Sequence, residues 1–131
     1  MVKHATRPRN EDGIKTALGI LKQQYGERFH TGQAMREQHG HTTTWIENQP
    51  PDGVVFARSA QEVSEIVQIC AAHDVPVIPY GTGTSLEGHL NAPAGGISID
   101  VSEMNNVLAV NEGDLDCRVQ PGVTREDLNT H

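Results

Sequence analysis

Residues 54–79 constrain the fold of this chain more than any other stretch. Residues 54–57 are a short apolar run that predicts a buried strand. A helix is predicted to begin at Ser59 with the Ser-x-x-Glu pattern of a capping box, and its apolar stripe continues to about His73. Residues 75–79 predict a second strand. Strand, helix and strand in so short a segment indicate a βαβ unit with parallel strands and a right-handed crossover.

Further elements are predicted on both sides of this unit. Apolar residues at helical spacing predict a helix over residues 11–25, and a weaker helix is predicted over residues 32–38. Residues 96–101 alternate like a strand, while residues 107–110 and 116–120, joined by turn residues, predict an antiparallel hairpin. The predicted fold class is α+β: a small parallel βαβ sheet flanked by helices, followed by the start of an antiparallel sheet.

Composition argues against several classes of function. The 131 residues carry a formal net charge of -7 and no long basic run. Nucleic acid is not an expected partner, because neutralising its phosphates needs clustered Lys and Arg. No apolar segment approaches the ~20 residues of a membrane span, and no signal peptide is visible. The sequence predicts a cytoplasmic protein, with peripheral attachment to the inner face of a membrane left open.

A structural role is favoured for both cysteines, for the histidines of the His-Gly-His segment and for the single tryptophan. Cys70 and Cys117 lie far apart in apolar surroundings, which favours two buried reduced thiols over a disulfide or a metal site. His39 and His41 form a weak metal pair, since no acid or thiol at ligand spacing completes it; hydrogen-bonded or solvated histidines are favoured. No metal ligand is assigned. Trp45 is predicted to anchor its segment in the core.

The carboxyl end of the chain reads as a helix that has begun without a stop signal. Thr124 is predicted to cap this helix, with Asp127 at the capping-box position. We therefore interpret the chain as an N-terminal fragment of a longer protein.

A glycine-rich loop follows the second strand of the βαβ unit. Residues 77–88 read VIPYGTGTSLEG, with three glycines among hydroxyl residues. A loop at this position lies at the carboxyl edge of a parallel sheet, where ligands of open α/β folds bind. Glycines permit positive φ and close approach, so successive amides can surround one anion. The loop predicts a phosphate or diphosphate site, and a plain surface turn is the alternative.

Two well-defined phosphate motifs do not fit this loop. A Walker loop needs lysine after its last glycine, but His89 follows Gly88. A Rossmann fingerprint needs a third glycine where Leu86 stands, and the following Asn-Ala-Pro-Ala-Gly-Gly run blocks a crossover helix. Asp100 lies at a distance suited to a ribose contact, but capping the turn at residues 102–104 explains it better. The missing Walker lysine disfavours hydrolysis of ATP or GTP.

An ordered set of motifs resembles a known flavin domain. Residues 50–128 resemble the vanillyl-alcohol oxidase / p-cresol methylhydroxylase (PCMH-type) superfamily, and within it the FAD-linked D-lactate dehydrogenases and glycolate oxidase D-subunits. The shared segments are PDGVV at 51–55, VIPYGTGTSLEGH at 77–89, AGGISID at 94–100 and VQPGV at 119–123. The resemblance implies FAD as cofactor. It divides the chain into an N-terminal helical extension, residues 1–49, and the first part of an FAD-binding domain, residues 50–131.

The resemblance also implies which residues contact the flavin. The glycine loop surrounds the diphosphate, and the Pro-Gly pair after the last predicted strand makes a second contact. The implied FAD-binding residues are Pro79, Tyr80, Gly81, Thr82, Gly83, Thr84, Ser85, Leu86, Gly88, Pro121 and Gly122. Many family members carry arginine where Tyr80 stands. No catalytic residue is assigned, because the family's catalytic and substrate-binding residues lie in later sequence.

The function implied by the resemblance is that of an FAD-dependent D-2-hydroxy-acid dehydrogenase acting on a substrate such as D-lactate or glycolate. This chain is its N-terminal FAD-binding part and is expected to be inactive alone. In the family, the flavin takes a hydride from the substrate and passes electrons to a quinone, a cytochrome or another acceptor. The alternatives are a non-catalytic phosphate- or nucleotide-binding module and a folding unit without ligand. An exposed face is expected to favour self-association.

Overall fold

A computed structural model describes residues 7–131. A four-stranded sheet with helices on both faces comes first, and a two-stranded sheet follows it. A 3-10 turn, Gly26–Arg28, joins the first helix to the first strand. The elements in chain order are α1 (Glu11–Tyr25), β1 (Phe29–His30), α2 (Gln33–Gly40), β2 (Gly53–Phe56), α3 (Ala60–Ala72), β3 (Val77–Tyr80), β4 (Ile97–Asp100), β5 (Val107–Asn111), β6 (Asp116–Val119) and α4 (Arg125–Thr130).

Helix α1 confirms the first predicted helix. The Asn10 side chain caps it by accepting a 3.1 Å hydrogen bond from the Gly13 amide. The helix ends at Gly26, whose φ of 56° an L side chain rarely adopts. One face of α1 is buried, including Leu21, which is fully inaccessible to solvent.

The strand order of the larger sheet is β1-β2-β4-β3. Strands β2, β4 and β3 are parallel, and β1 pairs antiparallel with β2 at one edge. The predicted parallel βαβ unit is therefore present, but β4 lies between its two strands. Ile99 of β4 is opposite Val55 on one side and Pro79 on the other. Strand β4 is buried at all four positions, as a central strand covered on both faces must be.

The cap of α3 differs in one detail from the predicted capping box. Ser59 accepts a 3.2 Å hydrogen bond from the Glu62 amide, as expected. The Glu62 carboxylate accepts from the amide of Arg58 at 2.7 Å instead of from that of Ser59. It also accepts two hydrogen bonds from the Arg28 guanidinium, which draws it toward the 3-10 turn.

The two faces of the four-stranded sheet bury different partners. Val55, Ile97 and Ile99 face α1 and α3 and form one apolar core with them. Because side chains alternate along a strand, Ser98 and Asp100 point to the opposite face. There His39 of α2 forms a hydrogen bond with Asp100. Helices on both faces leave β2 and β4 little contact with water, whereas the edge strand β3 is partly exposed.

Strands β5 and β6 form the predicted antiparallel hairpin, with an irregularity in register between Val107 and Ala109. Residue Leu115, in the turn, has a φ of 56° and is 92% exposed. Glycine adopts such a conformation most readily, but Gly113 of the same turn has no left-handed φ. After the hairpin, Thr124 and Asp127 form the complete predicted capping box of α4.

Two of the structural interpretations are wrong. Trp45 is 95% exposed and does not anchor its segment in the core. Cys117 lies on the exposed strand β6, whereas Cys70 is buried as predicted. For Trp45 the residue type was taken as evidence of burial, and for Cys117 the apolar neighbours in sequence did not reveal whether a second layer of the protein covers them.

Candidate functional site

The glycine loop leaves the sheet at the carboxyl end of β3. Its left-handed φ angles fall on glycines, 73° at Gly83 and 77° at Gly88. No backbone amide from Gly81 to Gly88 donates a hydrogen bond to another residue of the 7–131 range. The loop therefore presents a run of unpaired N–H groups at the end of a parallel sheet, an arrangement that can bind an anion.

A second glycine segment, Pro121 and Gly122, follows β6 and packs against the turn after β4. The Gly122 amide donates a 2.8 Å hydrogen bond to the Met104 carbonyl. A Cβ on Gly122 would collide with the carbonyl oxygens of Val101 and Met104. Glycine is therefore required here for the close approach of two backbone segments.

The two glycine segments meet at one groove of about 540 Å³. The end of the parallel sheet contributes Gly81 and Thr82 to its lining, and the segment after the hairpin contributes Pro121 and Gly122. The structure thus brings together four of the predicted FAD-binding residues from positions far apart in the chain. The remaining lining residues are Ser102, Asn105, Val123, Thr124, Arg125 and Asp127.

Arg125 gives this groove a positive charge that the sequence analysis missed. Its guanidinium forms no ion pair with another residue among those described. The neighbouring Asp127 carboxylate is engaged in the helix cap, where hydrogen bonds from the Thr124 hydroxyl and amide lower the pKa of Asp127. The signal that could have identified Arg125 is its position three residues after Gly122, at the start of the capped helix.

Three predicted residues, Thr84, Ser85 and Leu86, lie in the loop but outside the lining of this groove. The Thr84 hydroxyl lies 3.0 Å from that of Thr82, and the Ser85 hydroxyl lies 2.6 Å from Nδ1 of His89. The Leu86 side chain is mostly exposed. These contacts connect the loop residues to each other and to His89.

The first and last predicted loop residues have other surroundings. Pro79 lines a separate groove of about 350 Å³, on which His89 also lies. The Tyr80 ring lies under the loop, since a Cβ at Gly83 would collide with its hydroxyl oxygen. Burial raises the pKa of Tyr80, and the nearby Asp100 charge raises it further. A Cβ at Gly88 would lie 2.9 Å from Cδ1 of Ile46, so that glycine also allows close packing.

The two histidines of the weak metal pair make different hydrogen bonds. His39 is buried and contacts the Asp100 carboxylate at 2.8 Å, whereas His41 is exposed and lies 3.2 Å from the Asn48 amide nitrogen. In the described part of the chain, no three His, Cys, Asp or Glu residues are grouped as a metal site would need. Asp100 also accepts from the Ser102 amide, which confirms that it caps the following turn.

The groove fits a diphosphate. Unpaired amides line the loop, glycines leave space for close approach at Gly81, and Arg125 supplies a balancing charge. No helix in residues 7–131 has the length and apolar character needed to cross a membrane. An α+β fold with a glycine loop at the carboxyl end of a parallel sheet is typical of nucleotide-binding domains.

Comparison with known proteins narrows this class. The family described as "FAD binding domain" matches residues 51–131, so the chain belongs to this FAD-binding family. It is 44% identical over 105 residues to "Probable D-lactate dehydrogenase, mitochondrial" of Danio rerio, covering 80% of this chain and 21% of that protein. It is 35% identical over 102 residues to "Glycolate oxidase subunit GlcD" of Bacillus subtilis, covering 78% of this chain and 22% of that protein.

Solved structures share the fold. A crystal structure of p-cresol methylhydroxylase with substrate bound has a TM-score of 0.78 at 20% identity, over 96% of this chain and 26% of that one. The predicted PCMH-type α+β fold is therefore confirmed. The chain spans about a fifth of the length of the curated relatives described above.

Proposed function

We propose that this chain forms the diphosphate-binding part of the FAD site in an FAD-dependent D-2-hydroxy-acid dehydrogenase. The observation that carries the proposal is the groove shared by the two glycine segments, with Gly81 and Thr82 near Pro121 and Gly122. FAD is the cofactor of the family to which the chain belongs. The names of the zebrafish and Bacillus relatives support a 2-hydroxy acid as substrate.

Each part of the groove has a distinct role in this proposal. The loop enters the groove at Gly81 and Thr82, where its unpaired amides donate to the phosphate oxygens, and Arg125 balances their charge. Gly122 keeps the hairpin segment close to the turn after β4, which narrows the groove. Bound FAD supplies the hydride-accepting chemistry for oxidation at the α-carbon of the hydroxy acid. The chain's own residues hold the cofactor, and we assign none of them a catalytic step.

A pair of aspartate substitutions tests the site. Both Gly81 and Gly113 have free space around an added Cβ, and neither has a left-handed φ. In the full-length gene product, Gly81→Asp should raise the dissociation constant for FAD roughly tenfold or more, because its carboxylate repels the diphosphate. Gly113→Asp adds the same charge in the hairpin turn and should leave FAD affinity unchanged. Equal affinities of the two variants would place the diphosphate elsewhere.

The activity requires its own experiment. We expect the purified full-length gene product to show flavin absorbance and to reduce an artificial electron-accepting dye when D-lactate or glycolate is added. Bound flavin without any hydroxy-acid-dependent reduction would favour the alternative of a non-catalytic nucleotide-binding module. The natural electron acceptor, a quinone or a cytochrome, is open in this proposal and can be compared in the same assay.

Three further points belong to the same proposal. Residues 50–131 are the FAD-binding part and residues 1–49 an extension whose helix α1 joins the core. Exposed apolar residues of the hairpin, Leu108 and Val110 among them, supply a surface for self-association. The cytoplasmic location stays a prediction, and the name of the zebrafish relative places that protein in mitochondria. Cell fractionation with an antibody against the chain would decide it.

A further inference from the structure

The single tryptophan of the chain is displayed to solvent beside the glycine loop. Trp45 is 95% exposed, more than any other large apolar side chain among residues 7–131. Tryptophan is strongly buried on average, because its large ring gains free energy when it leaves water. An indole that a folded segment holds in water is therefore a candidate for contact with a ligand.

Hydrogen bonds order the segment that carries this indole, residues 42–48, which we call the Trp45 turn. The Thr42 amide donates to Oδ1 of Asn48 at 3.0 Å, and the Thr44 amide donates to the Thr42 hydroxyl at 3.1 Å. Thr42 itself is only 5% exposed. The indole thus extends from a turn that has internal hydrogen bonds and is anchored at a buried residue.

The Trp45 turn packs against the far end of the glycine loop. A Cβ at Gly88 would lie 2.9 Å from Cδ1 of Ile46, the residue after the tryptophan. Just beyond the loop, Nδ2 of Asn91 donates a 3.2 Å hydrogen bond to the carbonyl oxygen of Glu47. The turn and the loop are therefore neighbours on both sides of Gly88.

The loop connects this turn to the groove shared by the two glycine segments. Gly81 and Thr82 line the groove, whereas Gly88 contacts the Trp45 turn. Residues 82–88 extend over at most about 20 Å, and none of their amides donates to another described residue. A dinucleotide held by its diphosphate in the groove can therefore follow these amides and bring one of its two ring systems to the indole.

The surroundings of the Trp45 turn favour the flavin ring over the adenine ring at this place. The chain spans about a fifth of the curated relatives, and we assign it no catalytic step. The ring that reacts must therefore project to where other parts of the full-length protein can bring the substrate. The indole is open to solvent, whereas helix α4 and the segment after the hairpin adjoin the groove at the other end of the loop.

We propose that Trp45 contacts the isoalloxazine ring of bound FAD at the open end of the glycine loop. This inference rests on the proposed function, since it needs the diphosphate to bind in the groove. Contact with an indole stabilises a bound aromatic ring through burial and stacking. Trp45 is thus a cofactor contact that the residues implied by the resemblance do not include.

Binding of FAD and of ADP to variants tests this contact. ADP shares the adenine and the diphosphate of FAD but lacks the flavin. In the apo form of the full-length gene product, Trp45→Ala should raise the dissociation constant for FAD roughly tenfold, as expected for a lost stacking ring. The dissociation constant for ADP should stay the same. Leu115→Ala removes a similarly exposed apolar side chain in the hairpin turn and should change neither constant.

Flavin emission tests whether the two rings touch. An indole in contact with an excited flavin donates an electron that then returns without light, whereas a phenyl ring is too difficult to oxidise. Trp45→Phe should therefore keep most of the FAD affinity and raise the emission of the bound flavin several-fold. Because Trp45 is exposed, neither substitution should change the stability of the apoprotein measurably, which denaturation checks.

The outcomes separate this inference from the proposed function. Equal loss of affinity for FAD and ADP in Trp45→Ala would place the adenine at the indole and overturn the inference. Unchanged FAD affinity in Trp45→Ala with unchanged emission in Trp45→Phe would show that the indole lies away from the cofactor. Binding of neither ligand by the unmodified protein would overturn the proposed function itself. If ADP alone binds too weakly to measure, the emission of Trp45→Phe decides.

Discussion

The parallel sheet and the antiparallel hairpin of this chain differ sharply in burial. Every residue of the central strand β4 is buried, with helices on both sides. Every residue of β6 is exposed, and its partner strand β5 has Leu108 and Val110 more than half exposed. The first region has a core of its own, whereas the second has apolar side chains that no described residue covers.

Both regions contribute lining residues to the groove, so the difference in burial affects the candidate site. Gly81 and Thr82 extend from a sheet held in place by a buried core. Pro121 and Gly122 extend from the hairpin, where the main fixed contact is the packing of Gly122 against the turn after β4. The groove therefore joins a framework with a buried core to a segment held by a few backbone contacts.

The largest expected difference is in the cost of removing an apolar side chain. Ile66 of α3 is fully buried, so Ile66→Ala should lower the free energy of unfolding by about 3 kcal/mol, through lost burial and a cavity. Val110→Ala, at a half-exposed position in β5, should cost less than about 0.5 kcal/mol. Chemical denaturation followed by circular dichroism measures both. Similar costs would mean that the hairpin is covered in solution.

An intermediate effect is expected from the ion pair that ties α3 to the 3-10 turn. Glu62 and Arg28 form two hydrogen bonds of 2.8 and 2.9 Å and are both 24% exposed. Glu62→Gln should lower the free energy of unfolding by about 1.5 kcal/mol, since charge-assisted hydrogen bonds are lost.

The contribution of the ion pair between Glu62 and Arg28 can be recognised by how stability depends on pH. Hydrogen bonds from Arg28, opposed by burial, lower the pKa of Glu62. The stabilisation is therefore complete above the usual glutamate value of about 4.3 and is lost as the pH falls through the lowered pKa. Denaturation of Glu62→Gln should be less sensitive to acid in that range. Glu112→Gln, in the exposed hairpin turn, is the control and should keep the acid sensitivity of the unmodified protein.

A smaller, opposite effect is expected in the hairpin turn. Leu115 holds a left-handed φ of 56°, and glycine adopts that conformation without steric cost. Leu115→Gly should therefore raise the free energy of unfolding by up to about 1 kcal/mol relative to Leu115→Ala, which removes the same exposed side chain but keeps the strain. A zero difference would mean that the hairpin unfolds independently of the parallel sheet.

The last comparison needs no change in stability: it concerns how quickly a reagent labels the thiol in each region. Burial raises the pKa of Cys70 to about 11, so its reactive thiolate is scarce near neutral pH. Cys117 is exposed on β6. A chromogenic thiol reagent should label one cysteine quickly in the folded protein and the second only after denaturation, and Cys117→Ser should abolish the fast phase. Two fast thiols would show that the core of the parallel region opens readily.

The sequence predicted the regular elements well because their signals are local. Helical spacing and a closing glycine predicted the bounds of α1, and an apolar stripe after a capping residue predicted α3. The two-residue strand β1 was not predicted, since Phe29 and His30 form a strand only by pairing with β2. The central position of β4 was missed for a similar reason, because strand order depends on which strand is buried from both sides.

The same distinction applies to the candidate site. The glycine loop was recognisable, since glycines among hydroxyl residues after a parallel strand have a local meaning. Arg125 was not recognised as part of the groove, and the contact between His39 and Asp100 was not predicted, because both depend on residues that only folding brings together. The exposed Trp45 shows the opposite error, where a residue type was taken as evidence of burial.

By itself, the sequence determined the helices, most of the strands, the glycine loop and the membership of an FAD-binding family, because spacing, caps and ordered motifs are local properties of the chain. Only the tertiary structure decided that β4 separates β2 from β3, that Gly81 and Gly122 share a groove, and that His39 lies within hydrogen-bonding distance of Asp100. These facts depend on contacts between residues distant in sequence, which packing and burial select and local preferences do not.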